Sequence, residues 1–356
     1  MNIRKSSMDN KKRAKKIIIS ILTGAVMLLI SSCGNSKRQE QIDYISEKYS
    51  VSEENQLIVY TSHKEEVYLP IIREFENRTG IWVEVHAGGT AEMMQQAKEA
   101  SEKSECDVMF GGGIESYEAQ KDIFLPYKTS EVQYLDKTYV SEEGAWTAFT
   151  ELPIVFIYNR KLVSSSEAPR EWKDLFDEKW KGKIAYADLN NSGTSFTIIS
   201  TMEQLFHESY ETLLPRFYEQ LDGNILKSSG DIIPEVSDGD CLVGITLEET
   251  AKKYIELGYE ISIIYPNDGT SAVPDGCAML KNAPHSYNAG KFIDFVVGYD
   301  TQQYAMDNFY RRPVRTDVEL TSSYGSIKEI SFDVKKSADE ETKVFSLWNE
   351  LTKKED

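Results

Sequence analysis

Cysteine, histidine and basic residues are all scarce in this chain. Four cysteines and four histidines occur in 356 residues. Cys33, Cys106, Cys241 and Cys277 form no C-x-x-C, which removes zinc-ribbon and thioredoxin-type motifs. His63, His86, His207 and His285 provide no H-E-x-x-H, and no G-x-S-x-G nucleophile elbow occurs. Nucleotide loops are missing too: there is no G-x-x-x-x-G-K-[ST] and no G-x-G-x-x-G. Nothing marks an enzyme, and no cofactor is expected. Lysine and arginine total 40 against 58 acids, for a formal charge of −18. So acidic a chain repels phosphate backbones, so nucleic acid is not an expected partner. No internal repeat or low-complexity tract is present.

The basic residues that do occur early are clustered. Arg4, Lys5, Lys11, Lys12, Arg13, Lys15 and Lys16 precede an uncharged run from Ile17 to Ile30, followed by Ser31-Ser32-Cys33. A basic segment, a short apolar run and small residues before a cleavage point describe a secretory signal. The Ile30-Ser31-Ser32-Cys33 stretch resembles the lipobox of bacterial lipoproteins. That resemblance implies a lipidated Cys33, a membrane tie through lipid and an extracytoplasmic body. Loss of residues 1–32 takes the formal charge to about −24. The three remaining cysteines are read as buried apolar side chains, with one disulfide among them left open.

Residues 34–55 are polar and read as a flexible tether. Leu57 to Tyr60 suits a buried parallel strand. Val67, Ile71, Ile72 and Phe75 lie on one helix face, stopped at Gly80. A strand at Ile81 to His86, a helix at Ala91 to Lys103 and a strand at Cys106 to Phe110 continue a β-α-β-α-β pattern. Leu152 to Tyr158 and Val273 to Leu280 are long extended stretches that can bridge two lobes. The expected fold class is α/β, two-lobed, with a hinge and an interlobe cleft. The expected division is a signal at 1–32, a tether at 33–55, lobe 1 at 56–151 plus 273–305, lobe 2 at 152–272 and a C-terminal helical segment at 306–356.

Glycine and hydroxyl residues recur directly after strands. Tyr60-Thr61-Ser62-His63, Ala87-Gly88-Gly89-Thr90 and Phe110-Gly111-Gly112-Gly113 each hold that place. Asn191-Ser192-Gly193-Thr194 precedes a helix. In open α/β sheets, ligands bind beyond the carboxyl ends of strands. Backbone N–H groups and hydroxyls there hold an anion without formal positive charge. Thr61, Ser62, Gly89, Thr90, Gly112, Gly113, Ser192, Gly193 and Thr194 are therefore candidate ligand contacts.

These segments, with Asp107 to Gly113, Lys181-Gly182-Lys183-Ile184-Ala185, Val243 to Glu249, Val273-Pro274-Asp275-Gly276 and Arg311-Arg312-Pro313-Val314-Arg315, resemble type 2 periplasmic binding proteins of ABC transporters, in the ferric-iron-binding branch. The resemblance runs from about Gln56 to Glu319. It implies a small ligand in the interlobe cleft and adds Asp275 to the candidate contacts. Ferric-binding members hold the metal with a tyrosine pair, a histidine and a carboxylate. His63 matches the histidine position, and Glu92 lies near the carboxylate position. The tyrosine pair is replaced by Thr246-Leu247-Glu248-Glu249, and Tyr254 lies too far along the next helix to substitute simply.

The Thr-x-Glu-Glu stretch and Ser228-Ser229-Gly230 are more similar to the sub-branch that binds hexose phosphates and other organophosphates. That likeness implies Ser229, Glu248 and Glu249 as contacts, with the carboxylates accepting from sugar hydroxyls. The expected ligand is a small anion held largely by neutral donors, with no metal. Ferric iron at His63 and Glu92 is the alternative, and an extracellular enzyme on this scaffold is a lesser one. The expected partner is an ABC permease or a membrane histidine kinase, and the protein is expected to be a monomer.

Overall fold

The computed structural model describes residues 51–353. Cys33, the signal segment and most of the tether lie outside the described residues. A 3-10 turn covers Glu53–Asn55, and a compact unit begins at Gln56. In chain order β1 (Gln56–Thr61), α1 (Glu65–Thr79), β2 (Trp82–Ala87), α2 (Thr90–Lys103), β3 (Val108–Gly113) and α3 (Ile114–Ala119) alternate. β4 (Thr147–Ala148), β5 (Thr150–Glu151), β6 (Ile154–Asn159) and β7 (Ile184–Ala187) follow. Next come α4 (Gly193–Phe206), α5 (Tyr210–Leu221), β8 (Ile225–Leu226), α6 (Ile232–Asp238), β9 (Val243–Leu247), α7 (Glu248–Glu256) and β10 (Ile261–Ile264). β11 (Asp275–Met279), α8 (Ser286–Val296), α9 (Tyr299–Phe309), β12 (Arg312–Pro313) and α10 (Val334–Thr352) complete the described order.

The fold is α/β and two-lobed, with one five-stranded sheet in each lobe. The first sheet has the order β2-β1-β3-β11-β4. β1 pairs in parallel with both β2 and β3, and β11 is antiparallel to β3. α1 illustrates how sequence makes an element here. Glu65 and Glu66 sit in its first turn and Arg78 in its last, complementing the helix dipole. Val67, Ile71, Ile72 and Phe75 are buried on one face. Gly80, at φ 71°, ends the helix and donates its N–H to Glu76 O.

The second sheet has the order β10-β6-β9-β7-β8. Every residue of β6 is buried, as a strand covered on both faces requires. One face packs a core that includes Trp172, Phe196, Phe217, Val344 and Trp348, so α10 contributes to this lobe's interior. The other face packs Ile232, Val236 and Ala251, from α6 and α7. Cys106, Cys241 and Cys277 are buried free thiols.

Two segments cross between the sheets side by side. β4 belongs to the first sheet and β6 to the second, so the chain crosses near residues 149–153. It returns near 270–275, where Ile154 N donates to Ser271 O at 3.1 Å and Phe149 N to Asp275 O at 2.8 Å. Thr270 Oγ1 adds a bond to Ile154 O at 2.7 Å. β12 pairs antiparallel with β5, laying a third segment against the crossing. These bonded strands are the connections between the two sheets.

Candidate functional site

A cleft of about 940 Å³ opens between the two sheets, the size of a site for a small organic molecule. Ser62, His63, Gly89, Thr90, Gly112 and Gly113 line it from the first lobe. Ser192, Gly193, Thr194, Ser229 and Glu249 line it from the second. Asp275 forms part of the floor, and Glu92 also reaches the cleft. The strand-end segments therefore converge because parallel β1, β2 and β3 release their carboxyl ends on the same side. Gly112 is tightly constrained: its φ is +87°, and a Cβ there would lie 2.5 Å from Thr90 Cγ2. Only glycine lets the end of β3 pass beneath the start of α2.

The floor is a buried polar cluster. Asp275 is 2% exposed. It accepts Thr150 N and Thr150 Oγ1, both at 2.8 Å, and pairs with Arg311. Burial raises its carboxyl, while Arg311 and Thr150 oppose the rise. Arg311 is 7% exposed and donates a further bond to Thr150 Oγ1 at 3.0 Å. His63 Nε2 lies 3.5 Å from Asp275 Oδ2, too far for a good hydrogen bond. Burial, and then the Arg311 charge, hold His63 well below the usual imidazole range. His63 Nε2 and Arg311 Nε are buried without hydrogen-bond partners. Buried polar atoms without a partner are uncommon in folded proteins and single out this floor.

Helix starts form the walls. α1, α2 and α7 begin from Lys64, Gly89 and Leu247 with no side-chain cap, and residues from each of these starts line the cleft. Their first N–H groups are without intrahelical partners. α4 differs: Ser192 Oγ accepts from Ser195 N at 3.2 Å.

Several expectations need correction. Thr61 does not line the cleft. It is fully buried, donating to Phe110 O at 2.8 Å and accepting from His63 N at 3.1 Å. It holds His63 in place from behind the wall. Glu248 does not line the cleft either. Its carboxylate takes Arg312 Nε at 2.6 Å and Arg312 Nη2 at 3.0 Å, and Tyr265 donates to it at 2.5 Å. Successive helix residues point about 100° apart, so Glu249 faces the cleft and Glu248 the β12 side. Tyr254 does reach the cleft, sharing one face of α7 with Glu249, Thr250 and Lys253. The donors are not all neutral, since Arg311, Lys64 and Lys253 line the cleft.

Other lining residues were not anticipated from sequence. Glu115 of α3 is 3% exposed. Its Oε1 accepts from Thr197 Oγ1 at 2.6 Å, and its Oε2 has no partner. Burial pushes this carboxyl up to about 7, and the bond from Thr197 limits the rise. Glu341, Thr342 and Phe345 bring α10 into the wall. Glu341 is also raised by burial.

A family model of bacterial extracellular solute-binding proteins matches residues 103–332. Iron uptake protein A1 of Synechocystis sp. is 25% identical over 345 residues, covering 91% of this chain and 93% of that protein. A solved structure described as a two-component system protein mediating signal transduction matches with TM-score 0.71 at 26% identity, covering 78% of this chain and 96% of that one. The periplasmic binding protein AfuA of Actinobacillus pleuropneumoniae, solved with fructose-6-phosphate bound, matches with TM-score 0.75 at 22% identity, over 84% of this chain and 98% of that one. At that identity the likeness is one of fold. With the family model spanning most of the chain and the two-lobed fold shared, this protein belongs to the bacterial extracellular solute-binding proteins.

Proposed function

We propose that the cleft captures a small organophosphate, a sugar phosphate above all, for a membrane partner. The observation that carries this reading is the set of uncapped starts of α1, α2 and α7 around a floor where Arg311 Nε is unpaired. Helix N-termini favour anions, and the free N–H groups at the starts of α1 and α2 bond phosphate oxygens directly, whereas the first of α7, Glu248 N, already donates to Pro153 O at 2.9 Å. Ser62, Thr90 and Thr194 add hydroxyl donors. The pairing of Arg311 with Asp275 fixes the guanidinium without leaving an isolated buried charge.

Ferric iron is the second reading, supported by the Synechocystis relative named for iron uptake and by His63, Glu92 and Tyr254 all lining the cleft. Arg311 weighs against it, because its charge acts on His63 and opposes a trivalent cation there.

The lobes, with the hinge at 149–153 and 270–275, close on the ligand. Cys33 carries lipid and holds the body outside the cytoplasmic membrane. The loaded protein then meets an ABC permease or a membrane histidine kinase, and the two-component relative favours keeping the kinase in view. A thermal-shift panel of hexose 6-phosphates, phosphonates, inorganic phosphate and ferric citrate tests the ligand. A hundredfold excess over Kd stabilises by about 2.7 kcal/mol. A shift with ferric citrate alone, abolished by a chelator, overturns the organophosphate reading.

A further inference from the structure

The cleft is bridged by different chemistry on different helix pairs. Lys253 of α7 pairs with Glu66 of α1. On another pair, Thr197 of α4 donates to Glu115 of α3 at 2.6 Å. The first bridge adjoins Lys64 and the uncapped helix starts. The second adjoins α10, whose Glu341, Thr342 and Phe345 line the cleft.

Glu115 is the centre of this second wall. It is 3% exposed, so its carboxyl is almost wholly withdrawn from solvent. One oxygen is used by Thr197, and the other has no partner. The carboxyl sits against Gly113, where an added Cβ would strike it. Gly113 pairs with Asp275 across β3 and β11, and Glu115 follows two residues later in the first turn of α3, close to the floor. Glu341 is near enough for its charge to act on Glu115. Phe345 stacks on Phe196 with centroids 5.8 Å apart and a 24° interplanar angle, and both rings line the cleft.

We propose that this wall is the sugar subsite. Glu115 Oε2 bonds a ring hydroxyl, Glu341 and Thr342 of α10 take further hydroxyls, and the Phe345 ring supports the apolar face of the sugar. The phosphate then sits at Arg311, His63 and the helix starts. The inference rests on the organophosphate reading and fixes which end of the ligand faces which wall.

The chemistry selects a hydroxyl over an ammonium. A carboxyl that burial raises to about 7 keeps its proton in part of the molecules at neutral pH, and in that form it presents both a donor and an acceptor, as a sugar hydroxyl does. An ammonium group offers only donors and would need the ionised form. An aromatic platform beside polar groups suits a sugar ring, which has an apolar face and a polar rim.

Calorimetric titration with glucose 6-phosphate, fructose 6-phosphate and inorganic phosphate tests the assignment. Wild type is compared with Glu115→Met, Glu115→Gln and Glu341→Ala. Glu115→Met is expected to weaken the better hexose phosphate at least tenfold and to leave inorganic phosphate within twofold. Glu115→Gln, neutral and both donor and acceptor, is expected to restore most of that affinity. Glu341→Ala should weaken the hexose phosphate alone, by a smaller factor. Equal losses for sugar phosphate and inorganic phosphate, or no loss for either, overturn the subsite while leaving the organophosphate reading standing. A Gln variant as weak as the Met variant overturns the role of a neutral carboxyl. Failure of wild type to bind any of the three probes overturns both readings together.

Discussion

Replacing Glu115 by glutamine should stabilise the ligand-free protein, and only above acidic pH. The carboxyl rises from its usual 4.5 to about 7 on folding, chiefly through burial. An acid raised in this way contributes its full stability below the unfolded value. That stability is lost as pH rises through the folded one. At roughly 1.4 kcal/mol per pH unit, the ionised folded form above pH 7 carries a penalty of about 3 kcal/mol. Glutamine keeps the shape and the acceptor for Thr197 and has no proton to lose. Urea denaturation at pH 5 and pH 8 reads the difference. The variant should gain about 2–3 kcal/mol at pH 8 and under about 1 kcal/mol at pH 5. Glu151, raised to about 8 by burial and then by Glu329, is untouched and should leave a residual slope. A variant destabilised at pH 8, or changed equally at both pH values, refutes the burial argument for Glu115.

Other consequences are more local. Thr90→Val and Thr194→Val each delete a hydroxyl donor and should cost about 1–3 kcal/mol of hexose-phosphate binding by calorimetry; unchanged affinity in both removes them from the site. Arg311→Met strands Asp275 in the interior and should lower stability by about 3–5 kcal/mol in urea. Adding Asp275→Asn should recover part of that stability without recovering ligand affinity, and recovery of both would remove Arg311 from the binding surface. Cys33→Ala should abolish metabolic labelling with fatty acid, and persistent labelling would end the lipid-anchor proposal.

The first lobe was legible because its signals are local. The apolar run at Leu57 to Tyr60 and the one-faced spacing of Val67, Ile71, Ile72 and Phe75 each need only a short window. Gly80 and the glycines after β2 and β3 mark where the chain must turn. α5 was less legible although Tyr210, Leu213, Leu214, Phe217 and Leu221 share a buried face. Pro215 inside it reads as a stop.

Within the site, strand-end glycines and hydroxyls could be found because backbone approach demands them. Arg311 could not, since its role depends on Asp275, 36 residues away along the chain. Glu115 was one acid among 58, and only the packing of α3 against α4 and α10 withdraws it from water. Glu248 misled for the opposite reason. Its position beside Glu249 suggested a pair, while Arg312 had already claimed its carboxylate.

The most direct test of the central claim is to ask what the protein carries. Protein purified from its own cells without added ligand is denatured, and the released small molecules and metals are identified by mass spectrometry. The account predicts an organic phosphate ester approaching one equivalent, with the ester lost from protein carrying Arg311→Met and Asp275→Asn together. Stoichiometric iron with no phosphate ester would contradict it.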